Sequence, residues 1–443
     1  MADRAHGGDR AVSWTNWAGT ETSRLARVAS PRDEDEVADV VRAAAERGLR
    51  VKAVGAGHSF TGAAVTDGVQ LRLTHLAGVT SVDSTRGEAT VRAGTPLWQL
   101  NQELAQLGLA MPNLGDIDRQ TIAGATATGT HGTGLHHRGL SAGLRALRIV
   151  LADGQVVSCS PTHHAELFQA ARLGLGALGI VTELTIAVVP AFLLHAVERP
   201  ERLDAILETV DAEAAGNDHF EFYWFPHTDR VLTKRNNRVA PEAARQPLPR
   251  WRARLDDDLL SNRVFEWTNR LTHRLPRTTR QVNAIAARAL TERAYTETSH
   301  SVFVTPRDVR FIESEWAFPR EALPHVLQDL RCWLDRHDEQ ISFPVECRFA
   351  AADDVWLSTA HERESCYVAV HRYHRQDPGM YFAAFESIAV AHGGRPHWGK
   401  LHTCAAHWFH DVYPRFGDFV DVRDRVDPER RFGNPYLERV LGS

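Results

Sequence analysis

The chain has 443 residues, 43% apolar and 24% charged, with a formal net charge of −5 at pH 7. That length calls for two domains with a sizeable core, and that charge balance gives no argument for nucleic acid as a partner. Five scattered cysteines without a C-x-x-C pair argue for a reducing compartment and against a disulfide framework or a zinc site. No apolar run reaches the roughly 18 residues of a membrane span. The start MADRAHGGDRAVSW is too polar for a signal peptide, so the cytoplasm is the expected location.

In chain order, PRDEDE at 31–36 opens a predicted helix with Val37, Val40, Val41 and Ala44 along one face and Gly48 at its end. A strand follows to Val54 and turns through GAGHSF at 55–60. Alternation predicts strands at 68–73 and 88–93, and Gly108 closes a helix at 96–107. The loop at 111–116 leads into IAGATATGTHGTG at 122–134. Glycine lacks a Cβ and tolerates positive φ, so two such segments let backbone N–H groups approach an anion. Together they read as a cradle for a phosphate-bearing cofactor. Strands at 144–151 and 155–158, a helix from Ala165 and a β-branched run at 180–189, ended by Pro190, complete one α+β unit.

From about residue 191 the texture changes. Residues 201–340 are Arg-rich, with Trp251, Trp267 and several long helical patterns, before strands return at 315–318, 341–349 and 366–373. Acids, among them Asp256, Asp257 and Asp258, interrupt the arginines, which reads as a solvated helix face rather than an RNA-binding surface. Gly174, Gly176 and Gly179 fit G-x-G-x-x-G, but a helix precedes them and a strand follows, the reverse of a dinucleotide fingerprint. A Rossmann site is rejected there. The paired histidines lack H-E-x-x-H or carboxylate-supported spacing, so no metal site is assigned, and no G-x-S-x-G marks a serine nucleophile.

The second half carries three chemical patterns. In SFPVECRFA (342–350), period two puts Phe343, Val345, Cys347 and Phe349 on one face and Glu346 with Arg348 on the other. Those two either form a solvated ion pair or point together into a cavity. In CYVAVHRY (366–373), Tyr367, Ala369, His371 and Tyr373 share a face, which suits hydroxyl binding or proton transfer unless His371 is structural. The third is Lys400 in RPHWGK.

VGAGHSF, ATATGTHGTG, LGLGALGIVTELT, PVECRF, RPHWGK and RFGNPYLERVLG, in this order, resemble the FAD-linked aldonolactone oxidoreductases of the vanillyl-alcohol-oxidase superfamily. The family includes L-gulono-1,4-lactone oxidases and dehydrogenases and D-arabinono-1,4-lactone oxidases, with alditol oxidases as close relatives. The resemblance implies an α+β, two-subdomain FAD-binding fold of the PCMH type at 14–190 and an α+β substrate (cap) domain at 191–425. It also implies a segment at 426–443 returning to the FAD domain. FAD would be held by Ala53, Val54, Gly55, Ala56, Gly57, His58 and Ser59, then by Gly115, Asp116, Thr121, Gly124, Thr128, Gly129, Thr130, His131, Val181 and Lys400. The family implies a covalent link through His58.

Glu346, Arg348, His371 and Lys400 would be catalytic, with His371 the candidate base and Lys400 near flavin N1. Asp116, Glu346, Arg348 and Tyr373 would bind substrate. The implied reaction is hydride transfer from a carbinol C–H of a sugar lactone to flavin N5, giving an ascorbate-type product. Oxygen or another redox acceptor would follow, and Gly115 leaves room for oxygen. A polyol substrate is the alternative, disfavoured by Asp116 and Tyr373, and a non-catalytic flavin binder is a third, disfavoured by Glu346, Arg348 and Lys400. Peripheral membrane association is compatible with the sequence; nucleic acid is not an expected partner.

Overall fold

The computed structural model describes residues 12–249, 264–305 and 309–443; Trp251 and the aspartates at 256–258 lie outside them. The first predicted helix forms at Glu34–Glu46 because its N-terminus is capped twice. Asp33 Oδ1 accepts the Glu36 N–H (2.9 Å), and the Glu36 carboxylate reaches back to the Arg32 N–H (2.8 Å). Val37, Val41 and Ala44 form its buried face. The helix joins the outer strands of a small parallel sheet, ordered Arg27–Ala29, Val69–Arg72, Val51–Val54.

Glu34 also binds Arg148 Nε (3.1 Å) and Thr182 Oγ1 (2.5 Å), which ties this layer to a second sheet. That sheet is antiparallel, ordered Val156–Cys159, Leu144–Val150, Ile180–Ala187, Glu88–Arg92, Val79–Asp83. Ile180–Ala187 alternates buried and half-buried residues along its whole length, as a strand covered unequally on its two faces must.

A third, eight-stranded antiparallel sheet dominates the rest. Its order is Arg293–Thr298, Leu193–Arg202, Arg230–Arg238, His219–Trp224, Val345–Ala350, Ser365–Tyr373, Phe311–Pro319, Arg395–Pro396. The helices Leu323–Arg336 and Gly379–Ala391 pack together, the second also against Phe311–Pro319. Leu323, Val326, Leu327, Leu330 and Leu334 supply the buried stripe of the first.

Three expectations change. Within 201–340 the helical texture holds for Leu203–Gly216, Phe265–Arg274, Thr279–Ala289 and Leu323–Arg336, but His219–Trp224, Arg230–Arg238 and Arg293–Thr298 are strands. Buried charge pairs, such as Glu198 with Arg293 (2.7 and 2.9 Å), mask the pattern in the second and third of these strands, whereas Phe220, Phe222 and Trp224 do alternate along the first. The glycine-rich segment at 122–134, read as part of a cradle, is helical in its first half. Ile122–Thr128 is a helix whose N-cap, Thr121, accepts the Gly124 N–H (3.2 Å), and Gly129 ends it at φ +82°.

The return of the chain to its first part begins well before 426. The Phe60 N–H donates to the Gly399 carbonyl (2.7 Å), and the helix Phe416–Val426 lies against Ala165–Ala171. Asn434 Nδ2 then reaches the carbonyls of Gly62, Ala63 and Val65 at 3.0, 3.1 and 3.0 Å. One apolar core runs from Ala18 to Leu441. Among the described residues no helix is long and apolar enough to cross a membrane.

Candidate active site

Two cavities meet where His58, Ser59, Gln120 and Thr128 line both. The first lies between the parallel sheet and the five-stranded sheet. Its wall takes residues 52–59, Thr121, Gly124, Thr128 and the stretch around Gly174 to Val181. Close approach of these segments requires glycine. A Cβ on Gly55 would collide with Thr121 Oγ1, and one on Gly179 would stand 2.5 Å from the Val150 carbonyl oxygen. Among the described residues the N–H groups of Ala56, Gly57, His58 and Ser59 donate to no protein acceptor, so the turn presents a row of donors. Lys52 is fully buried beneath it and donates to the Gly176 carbonyl (2.9 Å); burial pushes its pKa down to about 7.

His58 stacks on Trp17 at 5.4 Å, and its buried Nδ1 has no hydrogen-bond partner. Burial, then Lys400 and Arg119, lowers its pKa to about 4, so the imidazole is neutral at physiological pH. These features fit a phosphate-bearing flavin: backbone donors for the anion, apolar walls, and an uncommitted imidazole nitrogen at the junction with the second cavity.

The second cavity opens on the face of the eight-stranded sheet and is built from charge. Val345–Ala350 sends Glu346 and Arg348 into it, and the neighbouring strand sets Tyr223 opposite Glu346. Arg348 binds Glu346, Glu221 (Nε, 3.0 Å) and Asp116 (Nη2, 3.4 Å). Lys234 binds Glu221 from behind (2.9 Å), and the Tyr223 hydroxyl donates to Glu346 (3.0 Å). Burial alone would lower the pKa of Arg348, but Glu346, Asp116 and Glu221 outweigh it and hold the guanidinium well above its usual pKa. Glu221 likewise overcomes burial through Lys234 and Arg348 and drops to about 2. The Glu346–Arg348 pair is therefore a cavity pair, not a solvated one.

The opposite wall comes from Phe311–Pro319, whose Glu313 and Glu315 face the cavity two residues apart. Glu315 pairs with His131 Nε2 (3.3 Å), and His131, capped through Nδ1 by the Gly132 carbonyl (2.9 Å), stacks on Tyr367 at 3.6 Å. Glu313 binds Lys400. Burial raises the pKa of Glu313 to about 7 against the pull of Lys400, while Glu313 and Glu315 outweigh burial to raise Lys400. His131, Glu315 and His397 bring donor atoms within 4.8 Å of one another. His397 Nδ1 already accepts the Gly399 N–H (3.0 Å), and burial lowers its pKa to about 3.

Of the residues singled out in the sequence, Ala53 to Ser59, Thr121, Gly124, Thr128 and Val181 line the first cavity. Gly115, Asp116, Thr130, His131, Glu346, Arg348 and Lys400 line the second. Three stand elsewhere. Gly129 is the left-handed end of its helix. His371 lies behind Glu313 (Nε2 to Oε1, 3.6 Å) rather than on the cavity wall. Tyr373 is also off the wall, its hydroxyl donating to Glu266 (2.8 Å), because the strand carries it away from the site. Sequence reasoning missed Glu313, Glu315, Glu221, Tyr223, Lys234 and the Gly174–Gly179 stretch. The alternation E-S-E within FIESEWAFP was a usable signal for the first two.

The fold and the paired cavities define a flavin-dependent oxidoreductase of the α+β, two-subdomain FAD-binding type with an α+β cap. Cholesterol oxidase from B. sterolicum shares this fold, with a TM-score of 0.80 at 16% identity over 100% of this chain and 99% of that one. The model of an FAD binding domain matches residues 25–160, and that of D-arabinono-1,4-lactone oxidase matches residues 184–440. The chain belongs to the D-arabinono-1,4-lactone oxidase family. L-gulono-1,4-lactone dehydrogenase of Mycobacterium tuberculosis is 41% identical over 97% of this chain and 99% of its own length. L-gulonolactone oxidase of Mus musculus is 33% identical over 98% and 99%. Alditol oxidase of a Streptomyces species is 32% identical over 96% and 98%.

Proposed function

We propose that this protein oxidises a sugar-derived 1,4-lactone of the L-gulono or D-arabinono type to an ascorbate-type product. The observation that carries the reading is the buried Arg348, held among Glu346, Glu221 and Asp116 in a cavity that meets the cofactor cavity at His58. FAD, when bound, takes the hydride of the carbinol C–H. The protein binds and orients. Arg348 offers N–H donors to the lactone oxygens, Glu346 accepts from a ring hydroxyl, and Lys400 adds positive charge at the cofactor side of the cavity.

Covalent attachment through His58 is part of the same proposal, supported by its neutral imidazole and unpartnered Nδ1 at the junction. Oxygen is proposed as an electron acceptor. A Cβ on Gly115 would stand 3.2 Å from the His131 carbonyl oxygen and 3.4 Å from Thr130 Cγ2, so this wall stays small. A cytoplasmic location is proposed as well, and the free state of all five cysteines supports it.

Asp116, which binds Arg348, favours the lactone over a polyol; Tyr373 carries no weight in that choice because it stands off the cavity. The test is anaerobic bleaching of flavin absorbance near roughly 450 nm by L-gulono-1,4-lactone, with xylitol in parallel. Bleaching by the lactone supports the reading, and bleaching by xylitol alone overturns it. Admitting air then tests oxygen. Flavin that stays with acid-precipitated wild type but not with His58→Ala establishes the covalent link.

A further inference from the structure

Oxidation of a carbinol removes a hydride and a proton, and the protein must receive the proton. His371 stands off the cavity wall; Glu313 stands on it, directly opposite His371 in the strand register. One carboxylate oxygen of Glu313 binds Lys400, and the other lies 3.6 Å from His371 Nε2. His371 Nδ1 sits 3.2 Å from the Pro344 carbonyl, which can only accept, so Nδ1 carries the hydrogen of the neutral ring. Nε2 of that ring and Glu313 Oε1 are then two acceptors facing each other with no proton between them.

We propose that Glu313 accepts the hydroxyl proton of the substrate and that His371 is the positioning residue behind it. The substrate O–H bond breaks, and its proton moves to the Glu313 carboxylate. The carbinol C–O becomes C=O as the C–H hydride leaves to the FAD-dependent oxidant that the family activity supplies. The arriving proton turns the facing lone pairs of Glu313 and His371 into an O–H···N contact, so the dyad stabilises the protonated state that the reaction creates.

The surroundings agree. Burial, Glu315 and Glu346 raise the pKa of Glu313 while Lys400 lowers it, and the balance at about 7 suits a base working near neutrality. His131 and Glu315, two residues along the strand, repeat the carbonyl-capped arrangement but give the opposite balance: burial raises Glu315, yet His131 together with Lys400 and His397 holds it well below the usual carboxylate range. Of the two strand carboxylates, only Glu313 is poised to gain a proton.

The assignment rests on the lactone reading, and the test separates the two. Holoenzymes of wild type, Glu313→Gln and His371→Asn are compared for flavin content, for the pH dependence of anaerobic bleaching by L-gulono-1,4-lactone, and for infrared carboxyl bands titrated without substrate. Wild-type bleaching should rise with pH through an ionisation near 7. Glu313→Gln should keep its flavin, lose that limb and slow by about 10²-fold or more. His371→Asn, whose amide donates to the carboxylate, should move the limb to lower pH. In the infrared, a protonated-carboxyl band should titrate near neutrality in wild type and vanish in Glu313→Gln. A flavin-loaded Glu313→Gln with wild-type rate and limb overturns the proposal. Should that variant fail to load, an unmoved limb in His371→Asn overturns it. Failure of every lactone to bleach wild type sinks the lactone reading alone, and the infrared titration still decides the dyad.

Discussion

The two cavities solve opposite problems. The cofactor side is made mostly of backbone: glycines at 55 and 179 bring chain segments together, and N–H groups face the space, with Lys52 buried beneath them. The substrate side is made of side chains: Arg348, Lys234 and Lys400 interleave with Asp116, Glu221, Glu313, Glu315 and Glu346 on strands and loops far apart in sequence. A backbone site tolerates exchange of side chains except where a Cβ collides. A charge-built site fails when any member leaves its partners uncompensated in a low-dielectric interior.

Removing a central charge should do the most damage. Arg348→Met leaves buried Glu346 and Glu221, with half-buried Asp116, without their shared cation; lactone turnover should fall at least 10³-fold, and urea unfolding should show a loss of about 3–5 kcal/mol. Gly55→Val attacks the other cavity. Its side chain must displace Thr121, so flavin content per chain should drop at least tenfold while the fold loses only about 1–3 kcal/mol. Equal loss of flavin in both variants would erase the contrast.

A smaller effect concerns pH. Burial lowers His397 and His402 to about 3, against about 6.5 in the unfolded chain. The unfolded state therefore binds protons first. The stability these residues contribute is complete above pH 6.5 and declines as the pH falls towards 3, which urea midpoints measured across that window will show. Smallest of all, Tyr373→Phe removes one hydrogen bond to Glu266 outside both cavities. It should cost about 0.5–1.5 kcal/mol and leave lactone kcat/KM within twofold; a tenfold fall would return Tyr373 to the substrate wall.

The same contrast explains what could be read from the residues alone. A backbone cradle needs glycine at close intervals on one stretch of chain, so GAGHSF and IAGATATGTHGTG announced themselves. The Gly174–Gly179 stretch was rightly refused as a dinucleotide fingerprint, yet it lines the same cavity, because what matters there is close approach rather than the order of strand and helix. Glu346 and Arg348 were legible from period two within one strand. Their partners were not, because pairing Tyr223 with Glu346, or Glu313 with His371, is a matter of register between distant strands.

The charged composition of Arg230–Arg238 and its neighbours read as solvated helix because buried ion pairs and surface charges look alike in one dimension. For Tyr373 the face was right and the position wrong. Tyr367 on that face stacks on His131 at the cavity, but six residues further the strand has travelled roughly 20 Å.

The grip of Asn434 on the carbonyls of Gly62, Ala63 and Val65 has a consequence in time. On a growing chain Gly62 emerges 372 residues before Asn434, which clasps it. The Val51 N–H likewise donates to the Arg431 carbonyl (2.8 Å), so both flanks of the turn await a distant part of the chain. A chain interrupted before Arg431 lacks both contacts that hold the flanks of the turn.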